Sequence, residues 1–125
     1  MNSEIIKEKI KNLKGKVGFC YKDLESGYSF GVNEDDPFIA ASIIKIPVLI
    51  EAYRKFKEED LSKNELVEIR ESDRVPSCGA AAYIHPGAKL TLKDLCILMI
   101  ILSDNMAANI LINKLKMDDI NSTMK

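Results

Sequence analysis

The sequence predicts an α+β fold in which one helix and a β-hairpin precede a mostly helical body. Three observations carry that expectation. Apolar residues recur at helical spacing over residues 3–13, the period shortens to that of strands between 16 and 32, and helical spacing returns beyond Ser42. The longest apolar stretch, 92–102, lies in that last part and reads as a central buried helix. With 125 residues, 46% hydrophobic and 30% charged, the composition is that of a folded chain with core enough for one domain.

Ile5, Ile6, Ile10 and Leu13 share one face of the first helix, and Gly15 suits the position just past its end. Residues 16–21 and 27–32 are short strand-like runs around a turn at 22–26, so they form a hairpin. The polar loop 33–37 breaks the strand pattern. From Ser42 to Lys57, Ile43, Ile46, Val48, Leu49, Ile50 and Tyr53 mark a largely buried helix. Pro47 lies inside it and calls for a tight or kinked first turn, because an interior proline removes a backbone hydrogen bond. Residues 58–89 carry scattered turn residues and the small run Gly79-Ala80-Ala81-Ala82, and are the least readable part of the chain. Thr91, followed three residues on by Asp94, has the form of a capping box that opens the 92–102 helix. Another helix runs from Asn105 to about Leu115, and Asp118-Asp119 begin a last segment that is cut off in mid-element.

Several function classes are excluded. A net charge of −1 offers no basic surface for a phosphate backbone, so no nucleic-acid partner is expected. The unbroken apolar run 95–102 is less than half of the roughly 20 residues that cross a bilayer. The N-terminus has charges every few residues and no apolar core, so it is no signal peptide and the chain as given reads as cytoplasmic. Cys20, Cys78 and Cys96 are odd in number and form no CxxC pair, which supports neither a disulfide framework nor a metal site. His85, the single histidine, lies in a turn-like His-Pro-Gly and reads as a solvated loop residue. Neither cofactor nor metal is expected.

Two segments point to chemistry. In Ser42-Ile43-Ile44-Lys45 the serine and lysine are three apart, on one face of a helix, so the lysine amine reaches the serine hydroxyl. That pair is a nucleophile with an adjacent base. Nine serines and fifteen lysines supply about one such pair by chance, and Ser42 as a helix cap with a solvated Lys45 is the plainer account of it. Ser103-Asp104-Asn105 follows about sixty residues later, at the end of the apolar helix. It offers a second proton-carrying hydroxyl and an amide, or equally three good helix caps.

The two segments in this order, within 38–48 and 98–109, resemble class A β-lactamases and their close serine-hydrolase relatives. The resemblance implies that Ser42 is the acylated nucleophile, Lys45 a proton acceptor and Ser103 a relay toward the β-lactam nitrogen. Asn105 is then the residue that binds the substrate's amide, with Asp104 and Asn109 as structural support. Cys96 matches one partner of a disulfide found in some members, but Leu49 stands at the other, so that bridge is not expected. There is no Lys-Thr-Gly in the chain, and the family's deacylating glutamate is expected on a loop beyond the last helix. Many members are exported.

The resemblance therefore implies a single incomplete β-lactamase-like domain over 1–125. Residues 1–37 give the helix and hairpin of its α/β part, 38–125 the mainly helical part, and the later sheet strands are missing. The expected function is the N-terminal portion of a serine β-lactamase whose ligand is a β-lactam or a peptidoglycan-like peptide, with no turnover by these residues alone. A penicillin-binding D,D-peptidase and a non-catalytic ligand-binding or folding fragment are the alternatives. An exposed sheet edge makes self-association a further expectation.

Overall fold

Helical spacing at the N-terminus becomes α1, Ser3–Lys11, in a computed structural model that describes residues 3–75 and 78–125. The helix stops two residues short of the expected Leu13. Asn12 and Leu13 turn back with bonds from their N–H groups to Lys9 and Ile10, the tighter spacing of a fraying end. Gly15 follows with φ +102.

The hairpin is β1, Phe19–Lys22, and β2, Ser29–Val32, antiparallel with Phe19 opposite Val32 and Lys22 opposite Ser29. Asp23 organises its loop: its N–H donates to Tyr28 O at 2.8 Å, and its carboxylate accepts from Glu25 N and the Ser26 hydroxyl. Phe19, Tyr21, Tyr28 and Phe30 gather on one face, with neighbouring rings 5.5–6.4 Å apart. These elements belong to one unit, Met1–Ile39; the rest, Ala40–Lys125, forms a second.

In the second unit a 3₁₀ turn, Ala41–Ile44, leads into α2, Lys45–Lys57. Pro47 is the third residue of α2, where a helix has no internal partner for the N–H that proline lacks. Then come β3, Leu66–Glu68; β4, Lys89–Thr91; α3, Leu92–Ile101; α4, Asn105–Leu115; and α5, Met117–Thr123. Strands β3 and β4 pair antiparallel, Leu66 opposite Thr91 and Glu68 opposite Lys89, in the least readable region of the sequence. Three-residue strands are too short for alternation to register. The capping box is present: Thr91 Oγ1 accepts from Asp94 N, and the Asp94 carboxylate accepts from Thr91 N, both at 3.0 Å.

The core is built from Val48 and Ala52 on α2, Leu92, Leu95 and Met99 on α3, Met106, Leu111 and Leu115 on α4, and Ile120 on α5. The expectation that 92–102 is the central buried helix holds for one face only. Ile97, Ile100 and Ile101 stand outward on α3, while α4, packed on α2, α3 and α5, is the more enclosed helix. Cys96 is buried, and that burial pushes its thiol up to about 11.

The Glu51 side chain is fully buried in this unit. The Glu51 carboxylate accepts from Arg54 Nε and Nη2, each at 2.8 Å, and from Thr123 Oγ1 at 2.5 Å. Lys55 Nζ lies 3.7 Å away and also pairs with Asp119 at 2.6 Å, so α5 is tied to the middle of α2. The Arg54 guanidinium, above all, holds the Glu51 carboxyl down to about 2 from an ordinary 4.5. A depressed carboxyl contributes stability above its unfolded value and loses it as pH falls from there toward about 2. Glu51→Gln is therefore expected to lower the melting temperature clearly at pH 7 and much less at pH 2.5; an equal loss at both, measured by circular dichroism melts, would contradict that role.

Candidate active site

Ala41 has φ +45, an unfavourable conformation for a residue with a Cβ, and it turns the chain into the 3₁₀ segment that carries Ser42. The α-helix itself opens at Lys45, with Ile44 at its N-cap position. Ser42 thus precedes the helix instead of capping it, and its side chain makes no capping bond. Its residue is exposed, whereas Lys45 is 4% exposed. Three positions apart, the two meet at 3.3 Å between Lys45 Nζ and Ser42 Oγ.

The opposite wall is the turn between α3 and α4. Leu102 N–H closes α3 on Leu98 O, and Ser103 then takes φ +53, a second left-handed residue with a Cβ. Asp104, 1% exposed, caps α4: one carboxylate oxygen accepts from Ala107 N at 2.9 Å and the other from Ala81 N at 2.7 Å. Of the three candidate caps in Ser103-Asp104-Asn105, the middle residue holds the helix and its two neighbours face elsewhere.

They face Lys45. Its Nζ stands 2.5 Å from Ser103 O, 2.8 Å from Ser103 Oγ and 2.7 Å from Asn105 Oδ1, and Ser42 Oγ lies 2.9 Å from Ser103 Oγ. Two of these partners, the carbonyl and the amide oxygen, can only accept. They occupy two N–H bonds of the lysine. An ammonium has three N–H bonds, so one is left for the two hydroxyls to share. Of the two hydroxyls, that of Ser103 is the closer to the amine, at 2.8 Å against 3.3 Å for Ser42. Among the described residues no carboxylate pairs with Lys45; its acceptors are all neutral.

Ser42, Lys45, Val75, Asn105, Asn109 and Ile112 line a cleft of about 490 Å³. Asn109 is an exposed wall residue of this cleft. A cavity of similar size, about 510 Å³, lies at the far end of α2 between Tyr53, Phe56 and Leu61, without any such cluster. His85 is exposed in its turn, with Nδ1 3.1 Å from Pro86 O, and does not line the cleft. Sequence reasoning missed the segment behind the turn. Ala81 N–H bonds Asp104, and Cys78 O accepts from Asn105 N at 3.3 Å. The small-residue run 79–82 was its only signal.

The family model described as the β-lactamase enzyme family matches residues 2–125. The chain belongs to that family. It is 32% identical over 113 residues to a β-lactamase of Rhodobacter capsulatus, an alignment that takes in 90% of this chain and 38% of that protein. The structure of PBP-A superposes with TM-score 0.86 at 28% identity, over 96% of this chain and 46% of that one. A single-substitution variant of PBP-A, equally similar, has been solved as an acyl-enzyme complex with penicillin G. An ancestral class A β-lactamase shares the fold, with TM-score 0.85 at 24% identity over 98% of this chain and 47% of that one. The chain thus spans about two-fifths of the length of the curated relative, and over that span it has the class A β-lactamase-like α+β fold expected from its sequence.

Within this family member the Asp104 carboxylate is the fastening of the turn. Asp104→Ala removes an N-cap and leaves the buried Ala81 N–H without its acceptor. It is expected to cost about 2–3 kcal/mol of stability, read from urea unfolding; a loss within error of zero would show that the carboxylate fastens nothing.

Proposed function

We propose that Ser42 is the nucleophile of a β-lactam-opening serine hydrolase of the family, and that these 125 residues form the acyl-enzyme without turning it over. The observation that carries the reading is the position of Lys45 Nζ, within hydrogen-bond reach of both Ser42 Oγ and Ser103 Oγ. In the proposed step, Ser42 Oγ bonds to the β-lactam carbonyl carbon while its proton passes to the Lys45 amine, directly or through Ser103. The ring C–N bond then breaks, and Ser103 returns a proton to the leaving nitrogen. Asn105, its carbonyl oxygen held by Lys45, has its NH₂ left to donate to a substrate amide. Asn109 lines the same cleft and shapes its wall.

Deacylation needs a base that can activate water. Glu51 is buried and held by Arg54, Lys55 and Thr123, and Glu58 and Glu59 lie beyond the far end of α2. None is placed for that task. The likeness to PBP-A, a variant of which is seen as an acyl-enzyme with penicillin G, favours a second, related reading in which the acyl-serine is the working state of a penicillin-binding acyl transferase.

Incubation with penicillin G is expected to add the whole mass of the antibiotic, on Ser42 by peptide mapping. Ser42→Ala should abolish the adduct, and Lys45→Ala should slow it by about a hundredfold or more. Intact mass spectrometry that finds no adduct would overturn the acylation reading. Sustained hydrolysis of a chromogenic cephalosporin, lost in Ser42→Ala, would overturn the absence of turnover.

A further inference from the structure

The segment Cys78–Ala81 closes on the back of the Ser103–Asn105 turn at three points. Cys78 O accepts from Asn105 N, Ala81 N donates to Asp104, and between them Gly79 lies directly against Asp104. A Cβ on Gly79 would stand 2.2 Å from Asp104 Cγ, 2.3 Å from Oδ2 and 2.7 Å from the Asp104 Cα. The first two atoms belong to a side chain pinned by two hydrogen bonds, and the third is backbone, so none can step aside cheaply. Gly79 also has φ +125, which residues with a Cβ rarely adopt. Space and backbone conformation agree: only glycine fits.

We propose that Gly79 is a positioning residue of the site. By lacking a side chain it lets the 78–81 segment seat the Asp104 carboxylate. That seating sets where Ser103 O, Ser103 Oγ and Asn105 Oδ1 stand around Lys45 Nζ. A side chain at 79 has to push Asp104, and the residues on either side of Asp104 are the ones that touch Lys45. The consequence for chemistry rests on the acylation reading above; the seating itself does not.

Gly87 provides the control. It also has positive φ, +88, but a Cβ there meets nothing within 4 Å, and it lies outside the site. Gly87→Ala reports backbone strain alone, Gly79→Ala strain plus the clash with Asp104. In the full chain, Gly79→Ala is expected to lower the limiting rate of penicillin labelling of Ser42 by about tenfold to a hundredfold relative to Gly87→Ala, with little change in the half-saturating concentration. Hydrogen exchange at the Ala81 and Asn105 amides should quicken in the same variant, while that of the α3 and α4 core amides does not. Should Gly79→Ala fail to fold, Asp104→Asn preserves shape yet leaves one acceptor oxygen for two N–H donors, so slower labelling and quicker exchange at the Ala81 or the Ala107 amide are expected. Labelling that slows without the exchange change, or the exchange change without slower labelling, overturns the proposal. A wild-type chain that takes no label refutes acylation instead, and unaltered exchange in the variant then refutes the seating independently.

Discussion

A buried lysine holds the two halves of the site together. Lys45 begins α2, yet its amine ends among atoms of the α3–α4 turn, about sixty residues on in the chain. Taking an ammonium out of water is costly unless every proton finds an acceptor. Ser103 contributes a carbonyl and a hydroxyl, Asn105 an amide oxygen and Ser42 a second hydroxyl. Satisfying Lys45 thus demands that α2 and the turn be in register. The requirement that keeps the lysine buried is the same one that brings the two serine hydroxyls within 2.9 Å.

The surrounding backbone is bent to meet that demand. Ala41 and Ser103 both take positive φ without being glycine, one just before the nucleophile and the other at the second hydroxyl. Each costs on the order of 1–3 kcal/mol and persists because neighbours over-determine it. Around Ser103 the neighbours are explicit: Leu98 O anchors the incoming chain and the Asp104 carboxylate anchors the outgoing one, itself locked by Ala81 and Ala107. Strain at the site is held by bonds one residue away from it.

Much of this was legible in the sequence, for identifiable reasons. The hairpin, α3 and α4 follow from apolar period, and the Thr91–Asp94 box from a cap whose two bonds are local; α2 forms too, but Ile43, Ile46, Ile50 and Tyr53 stand exposed, so it is not the largely buried helix expected. Ser42 and Lys45 are three residues apart across the 3₁₀ turn that leads into α2, and that short spacing alone predicts their contact. The same spacing is close to chance, and only Ser103-Asp104-Asn105 in order gave it weight. Strands β3 and β4 escaped because three residues carry no period. Gly79 escaped because its importance is a distance to Asp104, 25 residues away in the chain, and small residues announce no partner. Which of Ser103, Asp104 and Asn105 caps the helix was equally hidden, since all three are competent caps.

Helix α2 carries two buried charges, and the contrast between them separates scaffold from chemistry. Glu51 is surrounded by opposite charge, Arg54 and Lys55, and its carboxyl is held down to about 2; protonating it sacrifices those pairs. Lys45 is surrounded by neutral oxygens, with no carboxylate paired to it among the described residues. The carboxylate is satisfied by opposite charges on its own helix, whereas the lysine is satisfied by oxygens from a turn about sixty residues away. One helix thus contains both solutions, Glu51 fixed against α5 by opposite charge and Lys45 held against Ser42 and the α3–α4 turn by neutral oxygens.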